Sequence, residues 1–162
     1  MKESLESIYN FYFRDIYRFL LSLCRDHHTA EDLVQETFLR AYLHVEKYEH
    51  ERVKSWLFAV AYHAFIDYYR KQKRIEIKQE SFFSRLFDRR KTPEETLVIQ
   101  EDIQEISNLL KDLPEKQKHA VLLHDFHELS YAEAAAVMDI SLANYKVALF
   151  RGRQAMRKKK GE

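Results

Sequence analysis

Only two glycines and two prolines punctuate the 162 residues, against ordinary usage of roughly 7% and 5%. Turns draw on residues that tolerate positive φ or hold φ preset, and an all-β fold needs such turns every 8 to 12 positions or so. That supply is missing, so long helices with few connections are the solution left open. The same scarcity excludes glycine-rich phosphate loops. Gly152 and Gly161 are the whole stock, and neither a P-loop nor a dinucleotide fingerprint can be built from them. Hydrophobic residues make up 46% of the chain, enough to fill a core. Cys24 is the single cysteine, which rules out an internal disulfide and a multi-thiolate zinc site. No apolar run approaches the roughly 18 residues of a membrane span, and the opening MKESLESIYN lacks signal-peptide character. The expectation is a soluble, intracellular, all-α protein.

The formal net charge of +1 conceals a block pattern. Residues 1–50 hold 6 basic and 9 acidic side chains, and residues 51–91 hold 11 and 5. Residues 92–141 hold 3 and 11, and residues 142–162 hold 7 and 1. A lone basic run usually solvates a surface. Two of them, each following an aromatic or apolar helical stripe, point to two places that meet a polyanion.

Apolar periodicity predicts helices over about 4–25, 29–45 and 53–73. Thr29, answered by Asp32, reads as the N-cap of the second, and the polar stretch Glu46–Arg52 connects it to the third. Residues 74–91 lose periodicity and read as a charged, flexible tether. Thr92-Pro93-Glu94-Glu95 restarts a helix, Asp112-Leu113-Pro114 separates it from another ending near Phe126, and Ser130 with Glu133 forms a capping box. Asp139-Ile140-Ser141 is a short break before a last helix from about Leu142 to Lys158. The fold class is therefore two small helical domains on a flexible linker.

Three helical faces carry chemistry. On the second helix, Ala30, Leu33, Val34, Phe38, Ala41 and Val45 make a core stripe. The opposite side presents Asp32, Gln35, Glu36, Leu39 and Leu43, acids and an amide at one end and leucines at the other. A solvated face would stay polar throughout; this one suits a partner helix bearing Arg or Lys. On the third helix Leu57, Val60, Ala61, Ala64 and Tyr68 point inward, while Tyr62, His63, Ile66, Tyr69, Arg70 and Lys73 form another face. Aromatics interleaved with cations suit unpaired nucleic acid, where each stacked base is worth roughly 1–3 kcal/mol and cations follow the phosphates. The last two helices have the length and break of a helix-turn-helix. In the second of them Tyr145, Leu149, Gly152 and Met156 pack inward, and Lys146, Phe150, Arg153 and Arg157 face out with no acid between Asp139 and Glu162. Such a face fits a major groove.

The segments AEDLVQETFLRAY (30–42), KSWLFAVAYHAFIDYYRKQKR (54–74) and 113–158 carry a family likeness. Taken in order, over about 5–158, they resemble regions 2.2, 2.3–2.4 and 4 of the bacterial extracytoplasmic-function (ECF, group 4) RNA polymerase sigma factors of the sigma-70 family. A finer likeness is to the sigma-M-type subgroup. The resemblance implies region 2 over 1–74, a linker over 75–91 and region 4 over 92–162. It implies that Asp32, Gln35 and Glu36, with Leu39 and Leu43 beside them, grip the β′ clamp helices of the polymerase core. It also implies that Glu46 to His63 trap a flipped −10 base, and that Lys146, Phe150, Arg151 and Arg153, with Arg157 beyond, read the −35 duplex. Further implied partners are the β flap and a membrane-anchored anti-sigma factor covering these faces. Met1 starts almost on the first helix, which leaves control to come from outside. Three positions depart from the pattern. His63 stands where many members have asparagine, Val147 and Ala148 replace Ser/Arg-like residues, and Asp139 takes the usual glycine place in the turn.

Two other readings compete. A stand-alone helix-turn-helix regulator with a dimerising or sensory N-terminal module accounts for 113–158 but not for the other two faces. A helical adaptor would bind its partner independently of salt. No nucleophile–base pair has recognisable local spacing, so no enzyme, cofactor or small-molecule substrate is expected. His27, His28 and Cys24 cluster at one helix end and His119, His124 and His127 on another helix. Without supporting carboxylate spacing they are expected to bind no metal.

Overall fold

The computed structural model describes residues 4–44, 52–78 and 104–161, the side chains of 76–78 excepted, and every regular element among them is a helix. The first, α1, spans Leu5–Cys24: the Ser4 hydroxyl accepts from the Ser7 amide at 3.1 Å, and Arg25 ends the helix in the left-handed region with φ 60°. Helix α2 spans His27–Leu43. Its cap is Asp26 and not Thr29, a correction of the expected start. The Asp26 carboxylate accepts from both the Thr29 amide (3.1 Å) and the Thr29 hydroxyl (2.6 Å), so Thr29 lies within the first turn. Aspartate is the stronger cap of the two. Ala30, Leu33, Val34, Phe38 and Ala41 are buried as expected. Thr37, also buried, donates its hydroxyl to the Leu33 carbonyl at 2.6 Å and so needs no outside partner. Val45 and the connection Glu46–Glu51 lie outside the described residues.

Helix α3 spans Val53–Lys78, 26 residues and roughly 40 Å at 1.5 Å per residue. It outruns the expected end at Lys73 because Arg74 to Lys78 contain no glycine or proline. Leu57, Ala61 and Ala64 are buried as expected, while Val60 and Tyr68 are only half-buried. Phe58, Tyr62 and Phe65 are buried in addition. The stripe is wider than periodicity indicates because α3 is covered on two sides, by α1 and α2 and by the second unit.

That unit comprises α4 (104–110), α5 (Glu115–Val121), a π turn over Leu122–Phe126, α6 (Tyr131–Met138) and α7 (Leu142–Lys159). The expected restart at Thr92 and most of the tether fall outside the described residues. The capping box is present in both directions, Glu133 N–H to Ser130 Oγ at 3.1 Å and Ser130 N–H to Glu133 Oε1 at 3.0 Å. Asp139 takes φ 56°, ψ 46° and closes α6, a left-handed site that a short polar side chain tolerates. Ser141 then caps α7 through the Asn144 amide. The Tyr145 hydroxyl, fully buried, donates to the Ala120 carbonyl at 2.7 Å and ties α7 to α5.

Gly152 is where these two helices touch. A Cβ there would stand 2.8 Å from Val121 Cγ2 and 3.2 Å from the Gln117 carbonyl oxygen. Backbone cannot yield, and Val121 is wholly buried. Gly152→Ala gains about 1 kcal/mol of helix propensity but meets an overpacking cost of about 1–3 kcal/mol. A net loss of about 1 kcal/mol is expected in urea unfolding, growing for Gly152→Val. An alanine variant more stable than wild type would contradict this packing.

Candidate nucleic-acid and protein interfaces

On α2 the structure leaves Asp32, Gln35, Leu39 and Leu43 exposed along one side, with Leu39 54% and Leu43 65% accessible. Tyr42, 63% exposed, lies on the same helix between the two leucines and enlarges the apolar end. Sequence reasoning missed it, although an aromatic outside the core stripe three residues after Leu39 was a usable signal. Glu36 is less free than expected. Its carboxylate accepts from Arg40 Nε at 2.9 Å, and Arg40 Nη1 reaches Asp67 of α3 at 3.0 Å. The guanidinium therefore braces the docking helix against α3 and occupies one Glu36 oxygen.

On α3 the expected face divides. His63, Tyr69, Arg70 and Lys73 are exposed and Ile66 is half-buried. The Lys73 ammonium lies 4.7 Å from the centre of the Tyr69 ring, the aromatic–cation pairing that suits a stacked base beside a phosphate. Tyr62 departs from the expectation of an open face. It is 8% exposed, and its hydroxyl lies 2.7 Å from His119 Nδ1 on α5. Burial and the nearby Glu115 carboxylate raise the Tyr62 phenol to about 12, which keeps it protonated. On its other side the His119 ring has Nε2 3.2 Å from Glu115 Oε2, an ion-pair approach outside hydrogen-bond alignment. Lys118 Nζ meets Glu115 Oε1 at 3.2 Å. His119 and Lys118 together hold the Glu115 carboxyl down to about 2.

A second histidine closes the same seam. His127 follows the π turn, its amide donating to the Leu122 carbonyl at 3.0 Å, and its ring centroid lies 5.4 Å from Phe19 and 5.0 Å from Phe58. Burial, with Lys54 and Arg18 nearby, depresses it to about 4. His124 instead turns inward within its own unit, with Nδ1 2.7 Å from the Leu129 carbonyl. Among the described residues no three His, Cys, Asp or Glu side chains form a group suited to a metal. Cys24 is largely buried, and burial pushes its thiol to about 12.

On α7 Lys146, Phe150, Arg151 and Arg157 are exposed on the outer side, Phe150 by 59%, while Tyr145, Leu149 and Gly152 are buried and Met156 half-buried. Arg153 is held differently. Its Nε and Nη2 reach the two Asp125 carboxylate oxygens at 3.0 and 2.5 Å, a bidentate fork. Asp125 therefore sets the direction of this guanidinium on the basic face. The sequence gives no local sign of that pair, since the two residues are 28 positions apart.

Comparison with known proteins agrees on both units. A family model of sigma-70 region 2 matches residues 8–75, and one of sigma-70 region 4 matches residues 103–156. The chain is 43% identical over 155 residues to the ECF RNA polymerase sigma factor SigM of Bacillus subtilis, covering 95% of this chain and 93% of that protein. The sigma factor RpoE of Bartonella quintana, solved in complex with the anti-sigma factor NepR, superposes with a TM-score of 0.77 at 25% identity over 94% of each chain. CnrH, solved with the cytosolic domain of CnrY, superposes with a TM-score of 0.70 at 16% identity over 97% of this chain and 87% of CnrH. The last supports the fold alone.

Proposed function

Since the chain belongs to the extracytoplasmic-function RNA polymerase sigma factors, we propose that its three exposed faces divide the work of promoter-specific initiation. Residues 1–74 serve as the core-binding and −10 unit, 75–91 as the tether and 92–162 as the −35 unit. Asp32, Gln35 and Glu36 engage cationic side chains of the β′ clamp helices, and Leu39, Tyr42 and Leu43 bury apolar surface beside them. His63, Ile66, Tyr69, Arg70 and Lys73 capture unstacked −10 bases, with Tyr62 joining when uncovered. Lys146, Phe150, Arg151 and Arg157 contact the −35 duplex, with Arg153 directed by Asp125. Melting draws on binding energy alone. The chain performs no covalent step and uses no cofactor or small-molecule substrate.

The observation that carries this reading is the coexistence, in one chain, of a mixed acidic–apolar face on α2 and an acid-free basic face on α7. A simple repressor has no use for the first. Likeness to RpoE, which was solved with its inhibitor, supports control by an anti-sigma factor that covers these faces. We place that inhibitor in the membrane and the chain itself in the cytoplasm; no described helix is long and apolar enough to cross a bilayer.

Run-off transcription with core polymerase on genomic fragments tests the assignment. Asp32→Ala/Gln35→Ala is expected to lower transcript yield at least tenfold, since removing two charge-assisted hydrogen bonds, at about 1 kcal/mol each, already approaches that factor. Both positions are exposed on the helix surface, so circular dichroism should not change. Equal transcription by variant and wild type would remove α2 from the polymerase interface.

A further inference from the structure

The burial of Tyr62 has a mechanical meaning that rests on the function proposed above. We propose that the second helical unit is a built-in cover over the −10 face, latched by His119 and His127, which must lift before Tyr62 can meet DNA. Of the six residues on the expected −10 face, Tyr62 alone is closed off, and it is closed by a residue of the other unit. A base cannot stack on a ring that is 8% exposed and lies edge-on to His119 with centroids 5.2 Å apart.

The seam is built to hold and to part. Glu115 only accepts hydrogen bonds, so the His119 nitrogen facing it carries the proton and the other accepts from the Tyr62 hydroxyl. Tyr62, His119, Glu115 and Lys118 thus form one polar chain with its first member in α3 and the rest in α5. Water can take over each of these contacts on separation, which an all-apolar seam would not allow without exposing large hydrophobic area. His127, an imidazole and not an aliphatic side chain, fills the place between Phe19 and Phe58. The closed arrangement leaves Lys146, Phe150, Arg151 and Arg157 exposed on α7. Duplex contact at −35 is therefore compatible with the closed state, and complete strand capture at −10 is not, which sets an order of events.

Two measurements test the latch. Asp15 on α1 and Phe126 at the end of the π turn line one cleft between the units, and neither belongs to a proposed interface. Asp15→Cys/Phe126→Cys in a Cys24→Ser background, bridged by a short bismaleimide, holds the cover down. Bridged protein is expected to give at least tenfold less run-off transcript than the same protein unbridged, and equal yields would overturn the latch. Independently of transcription, His119→Asp sets a second carboxylate against Glu115. It is expected to raise the radius of gyration in small-angle scattering while helicity holds. An unchanged radius would overturn the latch even if the chain transcribes. Absence of transcripts from the wild-type chain would count against the sigma-factor mechanism instead.

Discussion

Phe58→Ala is expected to cost about 3–5 kcal/mol, most of the stability of a domain that holds about 5–15 kcal/mol in total. The ring is fully buried, 5.0 Å from Phe19 on one side and 5.0 Å from His127 on another. Truncation removes the transfer free energy of an aromatic side chain and leaves a cavity. Collapse is hindered because the walls belong to α1, α3 and the π turn, each fixed by further buried residues such as Ile16, Leu20, Leu57 and Leu122. Urea unfolding followed by circular dichroism reads the loss. Phe11→Ala provides the contrast: that ring is 73% exposed, and its removal should change stability by no more than about 0.5 kcal/mol. A Phe58→Ala midpoint close to that of Phe11→Ala would mean that the core is not organised around this ring.

Acid should weaken the protein through His127. Its imidazole is depressed from 6.5 to about 4, first by burial and then by Lys54 and Arg18. The surrounding charges are mixed: Asp15 and Arg18 on α1 line the same cleft, and Lys54 on α3 also interacts with Glu133 of α6. At pH 7 the ring is neutral whether buried or exposed, so the shift costs nothing. Below pH 6.5 an exposed ring takes up a proton that the buried ring refuses until about pH 4. Stability therefore falls as pH falls through this window, by about 1.4 kcal/mol per unit and about 3 kcal/mol in all. Glu115, held down to about 2, adds its own loss only below its ordinary carboxylate range near 4.5. Between pH 7 and 5 the histidine is thus separable from it. Over that interval wild type should lose about 2 kcal/mol more than His127→Leu, which cannot protonate there. Parallel pH profiles for the two proteins would show that His127 is not buried between the phenylalanines. A profile that steepens only below pH 4.5 would place the acid sensitivity on carboxylates.

Scarce glycine and proline, helical periodicity and capping signals are local properties, and most of the secondary structure follows from them. Ser130 and Glu133 make their box across three residues, Asp139 bends the turn by its own backbone, and the outward cations of α7 follow from a 3.6-residue repeat. Asp32, Gln35, Leu39 and Leu43 share an exposed side for the same reason. The Thr29 cap failed on a local competition, because Asp26 offers a stronger acceptor three residues earlier. What periodicity could not decide is which face of a helix meets a second unit. An aromatic–basic stripe on α3 reads alike whether open or covered, and its cover comes from His119, 57 positions away from Tyr62. Arg40 with Asp67 and Asp125 with Arg153 join residues 27 and 28 positions apart. Such pairs depend on how helices dock, and docking is set by the summed shape and burial of several elements. Local signals along the chain were enough for an all-α protein with three chemically distinct faces. The docking of its helices then closed part of one face over Tyr62 and engaged Glu36 and Arg153, residues of the other two, in ion pairs of their own.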